Sequence, residues 1–284
     1  MLNKLAASEL VLNGDGSVYH LNLLPEDIAG KIILVGDPDR VPKVSEYFDK
    51  IEIKKNKREF YTHTGILRGE RITVMSSGIG TENIDIVMNE LDALVNIDLK
   101  NKEFKSEHTS LELFRLGTCG SVNPDVEVDQ MLVTQNVVGL DGLLRFYADY
   151  EFENSFSRNF MAKFPYENIK GMLYFSDWAE DISDYYQDAK YHGNTATFPG
   201  FYAPQGRQLR LKALDDRFLE TLNDLGVSNF EMETSAIYGL SKLLGHKALT
   251  MNNVIANRRR GEFASDHHAS EKKMIEWVLE RIIP

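Results

Sequence analysis

The amino-acid sequence predicts one α/β domain, a central β-sheet flanked by helices, spanning residues 1–284 with 1–19 as an N-terminal extension. Three observations lead there. Short apolar, β-branched runs alternate with stretches of helical periodicity, the pattern that βα units produce. No internal repeat, low-complexity tract or linker divides the chain. At 284 residues and 43% hydrophobic, it is long enough to bury a sizeable core.

Lys31–Val35 (KIILV) is an apolar run ending at Gly36, read as a buried strand. Asp37-Pro38-Asp39 makes the turn after it sharp, because proline fixes φ and aspartate favours turns and helix starts. A short helix over about 41–48 follows, then strands at 51–53, 58–67 and 71–76, with Arg68-Gly69-Glu70 turning between the last two. Residues 81–97 form the clearest helix: Ile84, Val87, Met88, Leu91, Leu94 and Val95 recur at i, i+3, i+4, i+7 spacing. The polar stretch 100–109 (KNKEFKSEHT) reads as an exposed excursion. Strands are expected at 111–116 and 130–138, separated by a small-residue loop at 117–121, and another at 171–175. Residues 176–211, rich in Asp, Tyr, Gly and Pro, read as a long functional loop. A second strong helix covers 232–244, with Met232, Ala236, Ile237, Leu240, Leu243 and Leu244 on one face. A strand at 247–256 and a helix at 265–283 close the chain.

Composition removes several classes of function. With 32 Lys+Arg against 43 Asp+Glu the net charge is −11, so the chain lacks the diffuse positive field of a nucleic-acid binder. An anionic small substrate must be caught by a few arginines gathered locally. One cysteine excludes a disulfide framework or a Cys-rich zinc site, and Cys119 reads as a small buried filler. No apolar run approaches the roughly 18 to 20 residues of a membrane span, and the N-terminus lacks a signal-peptide core; a cytoplasmic protein is expected. The phosphate-loop, serine-hydrolase and zincin motifs are absent, and the turn after the first strand is G-D-P-D-R rather than a dinucleotide fingerprint. His267-His268 reads either as a metal pair or as a solvated helix start.

What remains are small turns with an arginine beside them. Gly36 with Arg40, and Arg115 with Gly117, Thr118 and Gly120, combine free backbone N–H groups with a guanidinium, the pairing that suits phosphate. Strand ends of an open α/β sheet are where ligands bind. Arg115 lies inside an apolar strand, where a buried guanidinium requires an anion. Each turn alone has a solvated, purely structural alternative.

Taken with further segments, the set resembles the nucleoside phosphorylase family, and within it the uridine phosphorylases. GDPDRV (36–41), REF (58–60), RLGTCG (115–120) with the D-Q-M-L-V-T and L-D-G that follow (129–142), and NFEMET (229–234) carry the match. FYAPQGR (201–207) is similar to the family's pyrimidine-recognition loop, F-Y-P-G-Q-x-R. The likeness runs from about His20 to the C-terminus.

The resemblance implies a mixed central sheet flanked by helices, and the phosphorolysis of a nucleoside to a free base and ribose 1-phosphate. It implies that Gly36, Arg40, Arg58, Arg115 and Thr118 hold phosphate, with Arg58 reaching in from a neighbouring subunit. Glu231, Met232 and Glu233 would hold the ribose, with His20 lent by the adjacent subunit to its 5′-hydroxyl. Phe201, Gln205 and Arg207 would bind the base, and Arg115, Arg207 and Glu233 would carry catalysis. A homodimer, or a hexamer built from dimers, with shared sites is implied. Inorganic phosphate is a co-substrate and no metal or redox cofactor is expected; Glu59, Ile79 and Asn83 match the potassium position of some members, with Asn83 replacing a serine. Asn257 stands where purine phosphorylases carry an aspartate, and an amide cannot give a proton to purine N7, so uridine is expected ahead of purines. A purine phosphorylase or a nucleosidase of the same fold, and a nucleoside-binding sensor without turnover, are the competing readings.

Overall fold

The computed structural model describes residues 4–283. In chain order, β1 (Lys31–Val35) leads into helix α1 (Arg40–Ser45). Strands β2 (Lys50–Lys57), β3 (Phe60–Leu67) and β4 (Glu70–Ser76) follow as two antiparallel hairpins. Helix α2 (Thr81–Asn96) ends in a small hairpin of β5 (Ile97–Asp98) and β6 (Glu103–Phe104). Next come β7 (Glu112–Ser121), β8 (Met131–Gly139), α3 (Ser155–Lys163), α4 (Glu167–Lys170), β9 (Tyr174–Asp177), α5 (Glu180–Ser183) and β10 (Tyr191–Thr197). The remainder is α6 (Phe218–Asp224), β11 (Val227–Glu231), α7 (Thr234–Leu244), β12 (Lys247–Asn257), β13 (Glu262–Phe263) and α8 (His267–Ile282).

The sheet is mixed. β1 lies between β4 and β7, parallel to both, and β12 runs parallel to β7 along most of its length. β12 also pairs antiparallel with β8, β8 parallel with β10, β10 parallel with β11, and β11 antiparallel with the end of β7. Those pairings close β7, β12, β8, β10 and β11 into a ring from which β1, β4, β3 and β2 extend. Strands covered on both faces read as continuous apolar runs, which is why β1 could be seen in the sequence. Its Ile32 and Leu34 pack with Ile84, Val87 and Leu91 of α2 and Ile237 and Leu240 of α7. Its Ile33 and Val35 face the other way, toward Val41 and Val44 of α1 and Met274, Val278 and Ile282 of α8. A third, aromatic cluster gathers Phe160, Phe164, Phe175, Phe198, Phe218 and Phe230.

Three expectations need correction. Residues 176–211 are not one loop: β9 ends at Asp177, α5 follows, and Tyr191–Thr197 is an interior strand. β10 escapes hydrophobic patterning because its polar groups are matched sideways. Thr195 Oγ1 lies 2.6 Å from Thr134 Oγ1 on β8 and donates to Asn229 Oδ1 on β11 at 2.8 Å. Residues 117–121 are strand rather than loop, since β7 runs through to Ser121. Their small size serves close approach: a Cβ on Gly120 would stand 2.5 Å from the Phe230 ring. The expected strand at 171–175 begins only at Tyr174. The excursion at 100–109 is largely exposed as expected, though it contains the short strand β6.

Candidate active site

A cavity of about 1040 Å³ opens where the ends of β1, β7, β11 and β12 meet the 201–207 turn. Gly36, Arg40, Arg115, Thr118, Phe201, Gln205, Arg207, Glu231, Met232 and Glu233 all line it. These residues are distant in sequence, so the fold alone brings them together. Its lining carries four arginines, Arg40, Arg115, Arg207 and Arg258, in a chain whose net charge is −11.

Arg115 is buried on β7, and the anions that balance it are the protein's own. Its Nη2 donates to Glu233 Oε2 in a short contact and lies 3.5 Å from Glu231 Oε2, while Nη1 donates to Asn252 Oδ1 at 2.9 Å. Burial alone would lower the guanidinium's pKa; Glu233 and Glu231 outweigh that and keep it charged. The Arg115 Nε–H has no partner among the described residues, an unusual cost for a buried donor. Glu233 sits one residue before α7, and its Oε1 accepts from Gly80 N at 2.8 Å. Burial pushes the Glu233 carboxyl above its ordinary range, with Arg115 pulling the other way. Glu231 serves mainly the helix start: its Oε2 accepts from the backbone N of Glu233 and Thr234, each at 2.9 Å, and its Oε1 from Thr197 Oγ1 at 2.6 Å. A carboxylate there satisfies free N–H groups and the helix dipole together.

Arg40 is steered from a distance. Glu271 on α8 accepts from its Nε, Leu116 O accepts from its Nη1 at 3.1 Å, and Lys43 shares Glu271 at 2.7 Å. Nothing in the sequence singled out Glu271, which lies 231 residues away in the chain.

The 201–207 segment folds on itself. Arg207 N donates to Tyr202 O at 2.9 Å and Gly206 adopts φ 69°, a conformation glycine tolerates without strain. The Arg207 guanidinium lies 3.7 Å over the Phe201 ring and donates to Gln205 Oε1 at 2.6 Å. Burial, and then the nearby Arg258 charge, pull the Arg207 pKa down from its ordinary value. Arg258 donates to Gln205 O at 3.3 Å, which ties the turn to the end of β12. No sequence motif marks Arg258, although it follows directly after Asn257.

Asn257 is fully buried and its amide is engaged by backbone. Nδ2 donates to Asn123 O at 2.9 Å and Val126 O at 2.8 Å, and Oδ1 accepts from the N–H groups of Arg259 and Arg260 at 3.0 Å. Cys119 is buried against Val126, Leu132 and Val254, and burial raises its thiol to about 12. Thiol reagents at pH 8 are therefore expected to label it only on unfolding, and Cys119→Ala to retain turnover. Rapid labelling of the native protein with loss of activity would contradict that placement.

Arg58 and His20 do not line this cavity. Arg58 is exposed in the turn between β2 and β3, and His20 Nδ1 pairs with Glu90 at 2.6 Å. Both were expected to serve a neighbouring subunit's site rather than their own. Glu59, Ile79 and Asn83 lie along the cavity, with Asn83 Nδ2 donating to Ile79 O at 3.2 Å. His267 and His268 begin α8, whose N-cap is Asp266, and the backbone O of His267 accepts from Ser270 Oγ at 3.2 Å.

Asp92, His108 and His246 cluster elsewhere with metal-ligand types. His246 Nδ1 accepts from Leu111 N at 3.2 Å, so its Nε2 carries the proton and faces Asp92 Oδ1 at 3.3 Å. The approach lacks hydrogen-bond geometry, and with the proton on Nε2 that nitrogen has no lone pair to offer a metal.

Among the described residues, no helix is long and apolar enough to cross a membrane. A family model described as the phosphorylase superfamily matches residues 31–283. The chain is 29% identical over 277 residues to a uridine phosphorylase of Thermococcus kodakarensis, covering 96% of this chain and 88% of that one. It is 28% identical over 270 residues to a purine nucleoside phosphorylase of Streptococcus suis, covering 93% and 98%. A solved nucleoside phosphorylase of Trypanosoma brucei, described as showing uridine phosphorylase activity, superposes with a TM-score of 0.86 at 29% identity, over 96% of this chain and 99% of that one.

Proposed function

Because the chain belongs to the phosphorylase superfamily, we propose that it is a pentosyltransferase cleaving pyrimidine nucleosides, with uridine + phosphate ⇌ uracil + ribose 1-phosphate as its main reaction. The observation that carries this reading is the convergence of Arg40, Arg115, Glu233 and the Phe201–Gln205–Arg207 turn on one cavity. Its volume suits a nucleoside and an oxyanion side by side.

Breaking the glycosidic bond builds positive charge on the ribose and negative charge on the departing base. A phosphate oxygen, held by Arg40, Arg115, the Gly36 turn and Thr118 on β7, forms the new bond to C1′ while its charge stabilises the sugar cation. The C1′–N1 electron pair leaves with the base, which takes a proton from water. Glu233 and Met232 fix the ribose, the carboxylate accepting from its hydroxyls. Arg207 and Gln205 hydrogen-bond the pyrimidine edge as it becomes anionic, with Phe201 against the ring. No metal or redox step takes part.

The Asn257 amide supports the pyrimidine choice, since all its hydrogen-bonding capacity is already directed at backbone and it has no acidic proton to give. Incubating the full chain with uridine, inosine and methylthioadenosine, with and without phosphate, separates the readings. Uracil release only with phosphate is expected, with inosine slower by about 10² or more. Base release without phosphate would indicate a nucleosidase, preferred inosine a purine enzyme, and tight uridine binding without ribose 1-phosphate a sensor.

The reading extends to a cytoplasmic role in pyrimidine nucleoside salvage and to a homodimer, or a hexamer of dimers, in which Arg58 and His20 complete the partner's site. Arg58 is exposed on a turn, so Arg58→Ala is expected to keep its fold yet raise the KM for phosphate roughly tenfold or more. A strictly monomeric preparation that turned over uridine normally would defeat the shared site.

A further inference from the structure

Asn252 is a fully buried amide on β12, a strand that otherwise buries Ala248, Leu249, Met251 and Val254. In register it stands opposite Gly117 of β7, with Thr250 opposite Arg115, so it sits diagonally from the arginine on the same face of the sheet. Its Oδ1 accepts from Arg115 Nη1 at 2.9 Å, while its Nδ2 has no partner among the described residues. Gly117 makes the contact possible: a Cβ there would stand 1.8 Å from Arg115 Nη1 and 2.4 Å from Asn252 Oδ1. A buried amide with unmatched donors is a poor choice for stability alone.

We propose that Asn252 is a positioning residue for phosphate, fixing the rotation of the Arg115 guanidinium without adding charge. This rests on the reading of Arg115 as a phosphate donor. Glu231 and Glu233 already flank Arg115, so with both ionised the three side chains carry one net negative charge. A carboxylate at position 252 would bring the sum to −2 and repel an incoming oxyanion. An apolar side chain would leave Nη1 without its acceptor and let the guanidinium turn further toward the carboxylates. A neutral acceptor satisfies Nη1 and adds no negative charge beside a guanidinium whose buried Nε–H is still unpartnered among the described residues. Asn252 lies outside the cavity lining, so its effect on phosphate passes through Arg115.

The test compares Asn252→Asp and Asn252→Leu with wild type in the full chain, by calorimetric titration with inorganic phosphate and by separate KM values for phosphate and uridine. Thermal midpoints are measured alongside. Asn252→Asp is expected to weaken phosphate binding roughly tenfold or more, while the KM for uridine moves less than about threefold. Asn252→Leu, close in size, is expected to weaken phosphate binding as well and serves should the aspartate variant not fold. Wild-type phosphate affinity in either folded variant overturns the proposal, and so does a loss in which both KM values rise alike while the thermal midpoint falls. If wild type binds no phosphate, the proposal and the phosphate end of the functional reading fail together. Phosphate binding without uridine cleavage overturns the reaction alone, and the titration of the variants still decides the role of Asn252.

Discussion

Replacing Arg115 with methionine is expected to lower kcat/KM for phosphorolysis by about 10³ and to destabilise the fold by about 3–5 kcal/mol. Both effects have one origin. Methionine has similar length but no charge, so Glu231 and Glu233 would be left facing each other without a cation in a buried site. Removing one partner of a buried ion pair costs more than the pair contributes net, because the remaining charge is desolvated and uncompensated. Arg115→Lys separates the two effects. The ammonium restores a positive charge and with it most of the stability, yet it cannot reach Asn252 and Glu233 in the planar fork that the guanidinium spans. Activity should stay at least about tenfold low in the lysine variant, with the thermal midpoint near wild type. Full activity in Arg115→Lys would show that a point charge suffices, and that the fork geometry is irrelevant to phosphate.

Glu233→Gln is expected to lower kcat/KM for uridine by roughly 10² while leaving phosphate binding intact or tighter. The amide removes the negative charge that now competes with phosphate for Arg115, and it also removes the strong acceptor proposed for the ribose hydroxyls. An enzyme losing a general structural feature would weaken toward both substrates, so the split between them is the diagnostic result. The pH profile adds a second. Burial raises the Glu233 carboxyl, and the form required is the carboxylate. As pH falls through that raised value the carboxylate takes a proton and activity is lost, so the acid limb of kcat/KM should lie above the ordinary glutamate value of about 4.3. Glu233→Gln should lack that limb. An unchanged acid limb in the variant would assign it to another group.

Much of this architecture could be read from residue patterns, for physical reasons visible at particular elements. α2 and α7 each bury one apolar stripe against the sheet, so their periodicity is strong and their bounds were found within about two residues. β1 is apolar on both faces and ends at a glycine, which made both the strand and the cavity floor recognisable. β10 was hidden because Thr195 and Asn194 satisfy their polar groups on adjacent strands, so the strand carries no hydrophobic signature. Gly117 and Gly120 imitated a loop because small residues signal turns more often than close approach.

The site divides the same way. Arg115 could be singled out because an arginine within an apolar run needs an explanation. Its partners Asn252 and Glu233, 137 and 118 residues onward, were joined to it only by folding. Glu271, which anchors Arg40 from the last helix, has the composition of any solvated helical glutamate. Local chemistry names the charged groups that contact a ligand; the groups that aim them are set by strand register and helix packing, which short-range patterns do not encode.

Following the fate of the sugar by phosphorus NMR, with uridine and increasing inorganic phosphate, puts the matter most simply. Guanidinium groups and a ribose-gripping carboxylate that meet at one opening should yield ribose 1-phosphate in step with uracil, at a rate that saturates with phosphate. Uracil accompanied by free ribose, at a rate indifferent to phosphate, would mean that these side chains do not hold the attacking group.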